Sequence, residues 1–280
     1  MGSHCAKRCQ FGLFPATLWV VAGVNRAKET LAGGGVLFGT WLQTASPTVA
    51  NILARCGMDF VTVDMEHGPH SFSEAESILY AIEAGGATPM IRLGEGSAPT
   101  ILKACDIGCQ SILVARCQSC EQAEEIVRAM TFAPRGDRGM APFTRLHDWS
   151  SEDLETKLAD ANAEQLAGVL IEDREGLGAL DDILAVDGLD LVYVGIYDLS
   201  QVLGLAGQLD HPLVLETVAD VARRVNATGK APGAVCRDAA HLEWLLDNGF
   251  RYVSHLCDTA LLQESARRAR AAFDTLTVNV

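Results

Sequence analysis

The chain has 280 residues, 49% of them hydrophobic and 21% charged, with 36 acidic side chains against 22 basic ones and a formal charge of −14. That balance argues against nucleic acid as a partner, because phosphate binding draws on clustered Lys and Arg. No stretch reaches the roughly 20 uninterrupted apolar residues of a membrane span, so no membrane partner is expected and the composition suits a globular enzyme with one large core.

Residues 1–24 open with MGSH, then Lys7 and Arg8 ahead of the apolar run FGLFPATLWVVAGV. This has something of a signal-peptide outline. The nine cysteines are odd in number, and Cys56, Cys105, Cys109, Cys117, Cys236 and Cys257 sit in or beside apolar runs. Buried free thiols in a reducing compartment fit that pattern best, so the expectation is a cytoplasmic protein whose first 24 residues form a leader or an N-terminal helix. Cys117 and Cys120 make one C-x-x-C, but no second pair follows at zinc-site spacing, and a structural role is expected for them.

From residue 25 onward, short β-branched runs recur at 35–42, 59–66, 88–93, 111–117, 167–173, 191–198, 231–236 and 251–257. Segments of helical period lie between them. Ser46 and Pro47 suit an N-cap and first helical position, and Gly57, Gly108, Gly229 and Gly249 suit helix ends that need positive φ. Strict alternation of strand and helix calls for a parallel sheet, and eight units without a linker predict a single-domain (β/α)₈ TIM barrel over 25–280. An open doubly wound sheet would carry a glycine-rich phosphate loop after its first strand, and GTWLQTASP contains none.

In such a barrel the chemistry sits at the carboxyl ends of the strands. The polar residues there are Trp41, then Asp64, Glu66 and His67, then Arg92, Arg116, Glu172 with Asp173, and Asp198. Glu172 and Asp198 offer hard oxygen ligands to Mg²⁺ or Mn²⁺ and leave coordination positions open. Arg92 can meet an anionic oxygen of the substrate, and His67 can move a proton near neutral pH. The competing reading is that these carboxylates cap helices and that His67 is a solvated loop residue.

The segments GTWLQTASP, DFVTVDMEHGPHS, MIRLGEGS, ILKACDIGCQSILV, PRGDRG, LIEDREGLGALDDILAVDGLDLVYVGIYDLSQVLG and GFRYVSHLCDTALL, in this order over residues 25–273, resemble the HpcH/HpaI aldolase family. The resemblance implies a class II pyruvate aldolase that uses Mg²⁺, Mn²⁺ or Co²⁺ to cleave a 4-hydroxy-2-oxo acid into pyruvate and an aldehyde through an enolate. It implies that His67, oriented by Asp64, is the acid/base group, that Arg92 stabilises the enolate, and that Glu172 and Asp198 hold the metal. Asp106 resembles the acidic residue that reaches toward the catalytic histidine at a subunit contact. Family members are commonly hexamers that exchange their last helix, which implies a homo-oligomer, hexamer or trimer, with TALLQESARRARAAF packed on a partner; the alternative is that this helix closes its own barrel.

The sequence departs from the family pattern where Leu170 replaces Gln, where Ile196 and Tyr197 follow the Gly before the metal-binding Asp, and where Arg116 replaces an apolar residue. With Trp41, the residues Arg116 and Tyr197 are therefore candidates for substrate contact. Two other functions remain open: decarboxylation of oxaloacetate through the same enolate, as in macrophomate-synthase-like relatives, and a non-catalytic barrel. A citrate-lyase-like acyl-CoA lyase is disfavoured by the lack of a basic patch for the nucleotide.

Overall fold

The computed structural model describes residues 24–277. The expected leader or helix over 1–24 falls almost wholly outside them. In chain order the elements are α1 (Arg26–Ala32), β1 (Leu37–Leu42), α2 (Pro47–Arg55), β2 (Phe60–Asp64), α3 (Phe72–Gly85), β3 (Thr88–Leu93), α4 (Ala98–Asp106), β4 (Ser111–Val114) and α5 (Cys120–Met130). A single 3₁₀ turn at Arg145–His147 precedes α6 (Leu154–Glu164), β5 (Leu166–Ile171), α7 (Arg174–Gly178), α8 (Leu180–Leu184) and β6 (Leu189–Val194). The chain ends with α9 (Ile196–Val202), α10 (Pro212–Ala227), β7 (Ala231–Cys236), α11 (Ala239–Asp247), β8 (Tyr252–Cys257) and α12 (Asp258–Thr277).

The eight strands pair in parallel, each with its sequence neighbours, and β8 closes on β1. This is the expected TIM barrel. Period-two alternation divides each strand between two cores. Leu37, Trp41, Phe60, Met90, Leu113, Leu170, Leu191, Tyr193 and Tyr252 fill the barrel interior. Leu42, Val61, Val63, Ile91, Leu93, Val169 and Val194 face outward under the helices.

Local chemistry sets the helix boundaries. The Ser46 side chain accepts the Val49 N–H with Pro47 next to it, and Ser71 and Glu74 form a reciprocal capping box at α3. Gly57, Gly108, Gly229 and Gly249 have φ of 91, 96, 83 and 80°, as expected of residues that leave a helix.

Several strands are shorter than their apolar runs, and three of the differences bear on the site. The run 111–117 stops pairing as strand after Val114, because Arg116 turns to φ 56°. The run 191–198 ends at Val194, and Ile196 to Val202 coil into α9, so Tyr197 and Asp198 are helical. The run 59–66 ends at Asp64, where the Gly68 N–H returns to the Asp64 carbonyl at 2.9 Å. A Cβ on Gly68 would lie 2.4 Å from that carbonyl oxygen, so glycine is what permits the turn.

No sequence pattern signals α1, whose Ala27 and Leu31 join the interior core while Lys28 pairs with Asp190 at 3.4 Å beside the start of β6; α1 thus stops the amino end of the barrel. In α12 only Asp258 is buried. Leu262, Phe273 and Leu276 are 70, 54 and 75% exposed, so this helix does not close its own barrel. Among the described residues, no helix is long and apolar enough to cross a membrane.

The seven described cysteines are free, but not all are buried. Cys105, Cys109, Cys117 and Cys236 are buried, whereas Cys56 is exposed because it ends α2, and Cys120 and Cys257 are half-buried. Burial pushes the Cys109 thiol up to about 12 and the Cys117 thiol up to about 11, which keeps both protonated and unreactive.

Candidate active site

Strand register brings the first pair together. Asp64 ends β2 and lies beside Arg92 of β3 in the ladder. Arg92 Nε donates to Asp64 Oδ1 at 2.9 Å and Nη2 to Asp64 Oδ2 at 2.6 Å, a two-pronged ion pair. The Gln43 amide adds a 3.1 Å hydrogen bond to Oδ2, and the backbone N–H groups of Glu66 and His67 donate to Oδ1 at 3.2 and 3.1 Å. Burial alone would raise the Asp64 carboxyl, but Arg92 and these donors hold it below its ordinary value.

Arg92 is fixed from its other side as well. Its guanidinium carbon lies 4.4 Å from the Trp41 ring centre, and Glu66 stands 3.4 Å from Nε. Trp41 in turn is pinned inside the barrel, with Nε1 donating to Ser254 Oγ at 2.7 Å and Tyr193 Oη at 3.2 Å. Tyr193 and Ser254 are themselves hydrogen-bonded. Arg92 is thereby presented at the barrel mouth in one orientation.

Carboxylates face it across the cup. Glu172 follows β5, is 7% exposed, and accepts the Arg116 backbone N–H at 2.9 Å. Burial, then the negative charges of Glu66 and Asp198, push Glu172 up to about 7, opposed by the Arg116 N–H and the Arg92 charge. Gly195 makes room for it: a Cβ there would lie 2.6 Å from Glu172 Cβ. A buried carboxyl raised first by desolvation and then by the neighbouring charges of Glu66 and Asp198 suits a bound cation, which would favour its charged form. Among the described residues no three His, Cys, Asp or Glu side chains gather in a metal-holding group. Glu172 and Asp198 could supply hard oxygen ligands to a cation of the Mg²⁺ type, which usually keeps several waters.

The HpcH/HpaI aldolase/citrate lyase family model matches residues 37–265. The chain belongs to the HpcH/HpaI aldolase/citrate lyase family. It is 35% identical to a hydroxypyruvate/pyruvate aldolase of Roseobacter denitrificans over 89% of this chain and 97% of that one. It is 36% identical to a 2-keto-3-deoxy-L-rhamnonate aldolase of Klebsiella pneumoniae over 89% and 93%. A crystal structure of a family member from Burkholderia cenocepacia superposes with a TM-score of 0.85 at 28% identity, covering 90% of this chain and 100% of that one. This HpcH/HpaI chain is an aldolase, a carbon–carbon lyase.

Other candidate residues lie differently in this HpcH/HpaI barrel from what the sequence led us to expect. Among the described residues, Asp64 makes no hydrogen bond to the exposed His67 ring; it holds that residue only by its backbone and spends its carboxylate on Arg92. Asp173 caps α7 through a 2.8 Å bond from the Gly176 N–H. Asp106 ends α4, which runs back from the cup toward the amino ends of the strands, and it pairs there with buried Arg138 at 2.7 Å. Within one chain it does not meet His67. Tyr197 is half exposed at the start of α9, and Leu170 is buried beside Tyr193 in the inner layer. Sequence reading missed Gln43, which follows β1, and Tyr193 and Ser254 within strands, because isolated polar residues of this kind carry no motif.

Proposed function

We propose that the protein cleaves a 4-hydroxy-2-oxo acid into pyruvate and an aldehyde, with Glu172 and Asp198 holding a divalent cation, Mg²⁺, Mn²⁺ or Co²⁺. The observation that carries this reading is the rigid Arg92 set opposite the repelling carboxylates: a fixed cation and a cation site facing one cup. When bound, the cation supplies Lewis-acid chemistry at the 2-oxo group. Arg92 meets the negative charge that develops on the same oxygen as the C3–C4 bond breaks, and its fixed orientation means that little reorganisation is needed at that moment. His67 takes the proton of the 4-hydroxyl as the aldehyde forms, and a proton returned to C3 gives pyruvate. Exposure of His67 lets it exchange that proton with solvent.

The protein acts as a homo-oligomer in this reading, with α12 packed on a second copy, because its exposed leucines and phenylalanine need cover. Free thiols among the described residues support a reducing compartment, the cytoplasm, in this reading.

The test is to compare pyruvate release from 4-hydroxy-2-oxo acids and from oxaloacetate, with metal and with chelator. Metal-dependent release that is faster from a hydroxy-oxo acid is expected. Faster release from oxaloacetate would replace aldol cleavage by decarboxylation, and no release from either would leave a non-catalytic barrel.

A further inference from the structure

We propose that Arg116 is a specificity-determining residue that selects substrates whose aldehyde half carries an anionic group, a carboxylate or a phosphate. This rests on the pyruvate-forming reading above and names the class of the other half.

The backbone around Arg116 is fastened to both neighbouring strands. Ala115 N–H donates to Leu93 O at 2.9 Å, Cys117 N–H to Leu170 O at 3.0 Å, and between them Arg116 N–H donates to Glu172 Oε1 at 2.9 Å. Residue 116 is thus built against the candidate cation ligand itself. It does so at φ 56°, a conformation that glycine adopts freely and that a residue with a Cβ adopts only under such restraint. Backbone strain of this kind gathers at functional sites. Glycine would satisfy the backbone; what arginine adds is its guanidinium.

That guanidinium is uncommitted. The Arg116 side chain is exposed and enters no hydrogen bond or ion pair among the described residues, although Glu172 and Asp173 follow the adjacent strand. Other arginines at or just past strand ends are occupied: Arg92 by Asp64 and Trp41, Arg174 by the Val202 carbonyl at 2.6 Å, and Arg237 by Asp210 at 2.5 and 3.2 Å. Only the Arg116 backbone touches Glu172, so its charge stands off from the cation site. In the reading above, the pyruvate half is served by Arg92 and the cation. That leaves an exposed guanidinium, unpaired among the described residues, on the residue whose backbone is bonded to Glu172; in this proposal it meets the half that departs, and its planar fork matches a carboxylate or a phosphate.

The experiment measures aldol addition of pyruvate to matched acceptors: succinic semialdehyde against butanal, and glyceraldehyde 3-phosphate against glyceraldehyde. Wild type, Arg116→Gln and Arg116→Lys are compared. Wild type should favour at least one anionic acceptor over its neutral counterpart, and Arg116→Gln should cut that preference ~30-fold, chiefly through the acceptor KM. Arg116→Lys should retain an intermediate preference, since it keeps the charge and loses the fork. The acceptor pair whose preference collapses tells carboxylate from phosphate. No anionic preference in wild type, or one unchanged within about threefold in Arg116→Gln, overturns the proposal. Deuterium exchange of the pyruvate methyl by wild type separates the two levels: exchange without anionic preference refutes only the role of Arg116, whereas no exchange refutes the pyruvate-enolate reading and this proposal with it.

Discussion

At the scale of single residues, the partner that a carboxylate chooses decides what it does. Asp64 spends both oxygens on Arg92, so Asp64→Asn should act through Arg92 and not through the histidine ring. We predict that Asp64→Asn and Arg92→Lys each lower kcat/KM by about 100-fold and that the double variant is little worse than either. Additive losses in that double-mutant cycle would separate the two residues. Glu172→Ala should abolish Mn²⁺ binding, measured by calorimetry, while circular dichroism shows the fold retained; unchanged Mn²⁺ affinity would remove Glu172 from the cation site.

Glu172 also gives a pH dependence. Its folded-state value near 7 lies above that of an unfolded glutamate, so between about pH 4.5 and 7 the folded protein binds more protons and loses stability as pH rises. The metal-free protein should therefore melt at lower temperature at pH 7.5 than at pH 5.5, the loss from this group being on the order of 3 kcal/mol at most, and added Mg²⁺ should reverse it. Asp64 has the opposite sign, since its depressed value contributes stability that disappears only as pH falls through the acidic range. The two windows do not overlap, and a melting-temperature profile resolves them. The chemical type of Asp64, Arg92 and Glu172 was legible in the sequence because each directly follows or ends an apolar run. Their pairing was not, because it depends on strand register, which sets Asp64 beside Arg92 across 28 residues of chain.

At the scale of elements, caps and periodicity were the most legible features. Ser46 and the four helix-ending glycines stand where the side chain or the lack of a Cβ places them. Strand lengths were not, because an apolar run does not reveal where backbone hydrogen bonding gives way to a left-handed residue such as Arg116 or to a short helix such as α9. The role of α1 was hidden for a related reason: seven residues show too little periodicity to signal a helix. The exposed α12 carries the prediction at this scale. Removing residues 259–277 should convert an oligomer into a monomer in light scattering, while an unchanged mass would place the interface elsewhere.

For the molecule as a whole, strict alternation was enough to predict the closed barrel, because eight parallel strands with helical crossovers have few other ways to bury both faces of each strand. The barrel interior was less predictable. Its polar network of Trp41, Tyr193 and Ser254 arises from three strands that meet only on closure, and it fixes Arg92 at the mouth. In the proposed reaction, closure, that network and the carboxylates of the proposed cation site serve one chemical act, the stabilisation of a pyruvate enolate. Proton NMR of pyruvate in D₂O tests that act directly. Loss of the methyl signal with Mg²⁺ or Co²⁺ present, and its persistence with chelator, is the predicted result; a methyl signal equally stable in both would contradict the enolate site.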